Sequence, residues 1–344
     1  MRLLPATLPA PRPAPLPAPL PPARTTTSPH RVQRGAPARA ALVLAAFALG
    51  ACCIVVGSVG GGCAHGPSAQ DRTTARGHYE VAVALVQEGQ RAAANGDQPT
   101  RDDKYREALK ELLEAERLVP EDSELQLLLG QVFFLGFRRH DDAVVHLERA
   151  IALKAAGAPA DAAPAEREYA EAEQTLGVVL VDKGQTEAAL PHFEKARTNL
   201  LYGTPYFAEQ EMGRALFLLG RHDDAVRHLT IAVQQQPDLC GAYAKLAEVH
   251  EARGDEAQVQ KSLEDFLVRC DSERLRANVG AGMIAPALFK LGESRLRSGS
   301  KDGAVDAFRS CASRFPTEAA GGECARRLEL LGVSLSPSSV SAGG

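Results

Sequence analysis

The sequence predicts an all-α array of stacked helical hairpins, and three observations carry that prediction. Residues 139–147 and 221–229 are near copies, both reading Arg-His-Asp-Asp-Ala-Val-x-His-Leu. Repetition on that scale marks a helical-hairpin array, in which each unit buries its apolar face against the next. Small residues recur at fixed spacing around both phrases. The composition is 45% apolar with only 5% aromatics and no Trp, which suits helices packed through Ala and Leu. Such an array grows by adding units, so a length of 344 residues does not imply two domains.

Residues 1–39 are a different material. The first forty residues hold eleven of the 22 prolines, six arginines and no acid, a composition of disordered, extended chain. Residues 40–63 follow as an apolar stretch behind Arg31, Arg34 and Arg39, the order of a basic region and a hydrophobic region in an export signal. Leu49-Gly50-Ala51-Cys52 resembles the lipobox of bacterial lipoproteins, which predicts lipidation at Cys52. Gly60-Gly61-Gly62-Cys63 is the alternative site, and an uncleaved transmembrane anchor is the third reading, since the run approaches the ~20 residues a span needs. All three readings place the body outside the cytoplasm. The signal lies far from Met1, and initiation nearer Val32 would give it an ordinary length. Residues 64–75 read as a polar tether and 334–344 as a disordered tail.

Between them, residues 76–333 follow the 34-residue tetratricopeptide pattern of Leu-Gly, turn Gly, Ala, aromatic or Leu, Ala and closing Pro. The expected shape is a right-handed superhelical solenoid of about six hairpins plus a C-terminal capping helix. A degenerate first unit carries Gly89, Gly96, Ala108, Leu112, Ala115 and Pro120, with about seven extra turn residues. The second carries Leu129, Gly130, Ala143, Leu147 and Ala150, with one extra turn residue. The third reads Leu176, Gly177, Gly184, Ala189, Phe193 and Ala196, and the fourth Met212, Gly213, Gly220, Ala225, Leu229, Ala232 and Pro237. Tyr243, Leu246, Ala247, Gly254 and Leu263 define the fifth. Leu291, Gly292, Gly299, Ala304, Phe308 and Pro316 define the sixth, and a cap runs from about Thr317 to Leu331. The Ala155–Ala165 insert and the Asp271–Ala285 segment break the stacking.

The first helices of such a solenoid line its concave face. Counted from the Leu-Gly pair, the groove candidates are Leu128, Phe134, Val178, Val181, Phe217 and Leu218, turning polar at Lys245, Glu248 and Glu251. A shift of register by one residue would make the apolar ones ordinary core. The His-Asp-Asp triplets at 140–142 and 222–224 read as helix N-terminal caps rather than metal ligands. Four cysteines lie in the folded region, Cys240, Cys270, Cys311 and Cys324, at spacings that match no zinc site. Three disulfide connectivities are possible. Hairpin closure favours Cys240 with Cys270 and Cys311 with Cys324, because it brings those helix ends level.

No phosphate loop, nucleophile elbow or metal-helix motif is present, so neither an enzyme, a cofactor nor a small-molecule substrate is expected. Without the six leader arginines, 33 basic residues face 43 acidic ones, a net charge of −10 that disfavours nucleic acid.

From Leu176 to Asp255 the chain resembles the type IV pilus biogenesis and stability lipoproteins, periplasmic tetratricopeptide pilotins. The residues that carry this are Leu176-Gly177, Gly184, Ala189, Phe193 and Ala196, then the link Leu201-Tyr202-Gly203-Thr204-Pro205, then Gly213, Gly220, Ala225 and Leu229. The resemblance implies an outer-membrane lipoprotein, facing the periplasm, that supports assembly of the pilus secretin. The long leader, the insert and the extra C-terminal unit depart from that family. The alternatives are a general envelope scaffold and an accessory subunit of a cell-wall enzyme.

Overall fold

Gly177 shows why the helices pair as they do: a Cβ there would lie 2.5 Å from the Phe193 ring. At Gly130 it would meet Leu147 at 2.6 Å, and at Gly213 it would meet Leu229 at 2.6 Å. In each case the first helix thins to bare backbone where the second helix delivers a large, fully buried apolar side chain. Gly292 and Phe308 repeat the arrangement. Close approach is thus written into the sequence at fixed spacing.

The computed structural model describes residues 66–272, 275 and 279–334, and among them fourteen helices form a tetratricopeptide-repeat array with no strand. The first two hairpins are α1 (Ala69–Ala94) with α2 (Gln98–Leu118) and α3 (Ser123–Phe137) with α4 (His140–Gly157). A short α5 (Pro164–Arg167) precedes the third hairpin, α6 (Ala170–Asp182) with α7 (Thr186–Thr198). Then come α8 (Pro205–Leu218) with α9 (His222–Gln235), α10 (Cys240–Ala252) with α11 (Glu256–Cys270), α12 (Ala281–Arg297) with α13 (Lys301–Arg314), and α14 (Ala319–Leu330) as the cap. Partners within a hairpin touch along their length, and the first helices α1, α3, α6, α8 and α10 also touch in succession.

Four details differ from the sequence reading. Helix α1 starts at Ala69, inside the stretch read as a tether, because Ser68 and Asp71 close a reciprocal capping box. In the first hairpin Gly89 faces Tyr105 at 3.2 Å. That antiparallel register brings Ala82 level with Leu112, both fully buried, so Ala82 fills the packing-glycine place and both arms are longer than in other units. The extra residues are therefore helix, not turn. In the second unit the turn falls on Arg138 at φ 55°, whereas the third and fourth use Gly184 and Gly220 at 77° and 73°. Lacking glycine, that turn accepts a strained left-handed residue. The Ala155–Ala165 insert is ordered around Arg167, whose guanidinium donates to the carbonyls of Pro159, Ala160 and Ala162.

Two apolar cores meet at α10. Leu239, Ala242, Leu246 and Val249 close the core of α1 to α9, while Cys240, Tyr243 and Ala247 open the core that continues to α14. Disulfides join Cys240 to Cys270 and Cys311 to Cys324, with Cα separations of 5.8 and 6.1 Å. One closes the mouth of the fifth hairpin, and the other ties the cap to α13.

Candidate partner-binding surface

The apolar groove inferred from register is not open. Leu128, Phe134, Val178 and Val181 are all buried, Phe134 to 1% exposure. Phe217 is half-buried, and Leu218 alone of the six is exposed, at 57%. The cause is the contact between successive first helices, which buries every residue of α6 from Ala172 to Val181. Leu128, Phe134, Val178 and Val181 are core residues, and the register-shift reading applies to them.

What seals this face is charge. Arg138 and Arg214 both reach Asp182 from α3's end and α8, at 3.2 and 3.7 Å, and Arg214 also binds Glu211. Further along, Lys290 and Arg297 meet Glu251, each at 3.4 Å. At the turns the repeated Arg-His-Asp-Asp phrase makes a clamp instead of a cap. Neither α4 nor α9 has a side-chain cap bond. The second Asp pairs backwards, Asp142 with Arg139 at 2.7 Å and Asp224 with Arg221 at 2.6 Å. The first Asp crosses to the next unit, Asp141 to Lys183 at 2.6 Å and Asp223 to Arg253 at 3.2 Å. The histidines lie against Phe134 and Phe217. Among the described residues no cluster could hold a metal ion.

A second polar layer lies inside the hairpins. His192 Nδ1 meets the carboxylate of buried Glu173 at 2.5 Å, and Lys195 donates to it at 2.9 Å. His228 meets buried Glu209 at 2.6 Å, with Arg197 of the preceding unit at 3.2 Å. In the second unit His146 donates to Gln126 at 2.7 Å, and Gln126 donates to Glu116 at 2.8 Å. Burial pushes the Glu173 carboxyl up, but the bonds from His192 and Lys195 outweigh it and leave the pKa below the ordinary value. Burial pushes the His146 imidazole down, against the opposing pull of Glu116 and Asp142. Sequence reasoning missed this layer, although its signal is there: Gln or Glu four residues before the packing Gly, and His three after the Ala.

Several partly exposed aromatics lie on the first helices. Tyr79, Tyr169 and Tyr206 are half-buried on or beside α1, α6 and α8, and Glu124 and Glu171 are exposed between them.

Cys52 and Cys63 lie outside the described residues. No described helix is long and apolar enough to cross a membrane.

The hairpins, their packing glycines and the clamped turns define the class: the molecule is a tetratricopeptide-repeat protein. The tetratricopeptide-repeat family model matches residues 286–317, which fall in the sixth hairpin. No curated protein matches by sequence. Among solved structures the chain is similar to PilW, described as a widely conserved type IV pilus biogenesis factor, with TM-score 0.54 and 18% identity over 71% of this chain and 98% of PilW. It is also similar to Pseudomonas aeruginosa PilF, with TM-score 0.51 and 15% identity over 73% of this chain and 99% of PilF. At these identities the likeness is one of fold.

Proposed function

We propose that this protein-binding scaffold is a pilotin-like assembly factor, lipid-anchored at Cys52 or Cys63 and facing the periplasm, that supports a type IV pilus secretin. The observation that carries the reading is the overlay on two pilus proteins along 98% and 99% of their lengths. The Leu201 to Pro205 link adds to it. Two disulfides suit an oxidising compartment outside the cytoplasm, and the apolar stretch 40–63 supplies an export signal. A single acyl chain anchors only marginally, so the multiple chains of a mature lipoprotein are required.

Deleting the gene and resolving secretin multimers from membranes on a gel tests the assignment. Loss of multimers, restored by the wild-type gene but not by a Cys52→Ala, Cys63→Ala double variant, is expected. Normal multimers beside a cell-wall defect would favour the envelope-scaffold or enzyme-accessory reading instead. Mass spectrometry of the mature N-terminus decides between the two cysteines, and an unmodified thiol at both positions would remove the lipid anchor.

A further inference from the structure

The link between the third and fourth hairpins carries the most exposed large apolar side chain of the described residues, Leu200 at 93%, with Leu201 at 67% beside it. The turn beneath them is fixed. Asn199, itself buried, accepts the Leu201 amide at Oδ1 at 2.9 Å and donates through Nδ2 to the Ala165 carbonyl at 3.0 Å and to Glu168 at 3.1 Å. On the other side Tyr202 is buried, and its amide donates to the Asn199 carbonyl at 3.1 Å. Two buried residues thus grip the chain and hold two leucines out in water, where both forgo the stabilisation of burial. Other links expose polar or proline tips at this place, Pro120-Glu121-Asp122, Pro237 and Pro316-Thr317.

We propose that Leu200 and Leu201 dip into the headgroup layer of the membrane that holds the lipid anchor, and so set one edge of the solenoid on the bilayer. The proposal rests on the lipid-anchored reading of the function and is independent of the secretin assignment.

Chain topology selects the bilayer as the occupant. Each hairpin turns at one edge of the array and joins the next at the opposite edge, so the start of α1 shares an edge with the 199–204 link. Side chains trace that edge. Arg76 of α1 meets Glu124 in the first turn of α3 at 3.3 Å, Lys154 near the end of α4 lies 5.8 Å from the Tyr169 ring ahead of α6, and Asn199 reaches Glu168. The chain entering α1 comes from Cys63 or Cys52, three or fourteen residues before Gly66. Fully extended, those stretches reach about 10 or 50 Å. An acyl group on either cysteine therefore tethers the molecule by this edge, the one opposite the turn glycines.

Size and backbone chemistry argue the same way. Two side chains fall far short of the ~800 Å² per partner that a stable protein interface buries. Interfacial insertion grows with apolar area and only has to supplement an anchor already in place. The amides of Leu201 and Tyr202 are already bonded to Asn199, so dipping the turn into lipid strands neither of them.

The chain has no Trp, so Leu201→Trp introduces a single fluorescent reporter at the tip. Leu218→Trp is the control, because Leu218 is also exposed but ends α8 at the opposite edge, about 20 Å along the helix from Pro205. The full-length lipidated protein is reconstituted in vesicles of phosphatidylethanolamine and phosphatidylglycerol, with and without brominated acyl chains, and recovered by flotation. Emission from the Leu201→Trp variant should shift to the blue and be quenched by brominated lipid, while that from Leu218→Trp does neither. Adding Leu200→Glu beside the reporter should return it to water and abolish the quenching. Circular dichroism confirms that the variants fold. Equal quenching of both reporters would show no preferred edge, and quenching of neither would leave the link to a protein or a second copy; each result overturns the proposal. Mass spectrometry of the same sample reads the acyl group separately. A lipidated, floated protein with an unquenched reporter rejects the insertion and leaves the anchor standing, whereas an unmodified chain removes the anchor and the proposal with it.

Discussion

At the position four residues before the packing small residue, the second to fourth units carry Gln126, Glu173 and Glu209, whereas the fifth and sixth carry Tyr243 and Leu288. The facing residues are His146, His192 and His228 in the first group, and Ser262 and Ala307 in the second. The N-terminal units thus hold an interior polar layer and no described cysteine. The C-terminal units carry no histidine–carboxylate pair at these positions and add two disulfides. The contrast teaches that a repeat can fix its register in two ways. A one-turn slip in the third or fourth unit would strand Glu173 or Glu209, and an unpaired buried charge costs roughly 3 to 5 kcal/mol. In the last units a covalent bond limits the slip instead.

The largest test of this division is Phe134→Ala. As a core residue of the N-terminal region it should cost roughly 3 to 5 kcal/mol of folding stability. Hydrogen exchange should show the loss in α1 to α9 while α12 to α14 keep their protection, because a solenoid transmits stability mainly between neighbours. A melt unchanged from wild type would return Phe134 to an open surface.

Next in size is Cys270→Ser. Opening the Cys240–Cys270 bridge, which spans 30 residues, should cost roughly 3.6 kcal/mol in the chain-entropy account. The damage should fall on α10 to α14. Equal loss of exchange protection in α3 and α4 would show that the two regions are one cooperative block.

Acid should then separate the regions with a smaller effect. The folded pKa of His146 is depressed by burial, so the unfolded chain binds more protons and stability falls as pH drops below the ordinary value of 6.5. His250, also depressed by burial, acts in the same direction from α10. The Glu173 carboxyl is depressed as well, so its contribution is present above the ordinary 4.5 and lost as pH falls further. No histidine follows residue 250, so protection in α12 to α14, taken relative to the intrinsic exchange rate at each pH, should hardly change between pH 7 and 5.5, a window set by the histidine value of 6.5. A uniform response along the chain would contradict the assignment of pH sensitivity to the polar layer.

The smallest change is expected from Asp141→Asn. Its carboxylate is exposed, and solvent-facing ion pairs contribute little. Thermal melting should be indistinguishable from wild type, and a clear drop would make the inter-unit clamp a structural element.

Hairpins, turn glycines and the cap were legible because each depends on spacing within one or two helices. Gly177 and Phe193 meet wherever this sequence folds as a hairpin, and no other part of the chain is needed to say so. The ordered insert around Arg167 and the displaced register of Gly89 were not legible, since one depends on three carbonyls of a loop and the other on the length of two helices together. The polar layer was visible as a spacing of Glu, Gly, Ala and His, but its burial was not.

The sequence by itself determined a tetratricopeptide array, its units and the meeting of small with large residues, because helical periodicity and close approach are short-range consequences of residue type. Only the tertiary structure decided which face is open. The burial of Phe134, Val178 and Val181 depends on how first helices of neighbouring hairpins pack side to side, and that long-range contact closes α6 from Ala172 to Val181 and leaves Leu218 exposed at the end of α8.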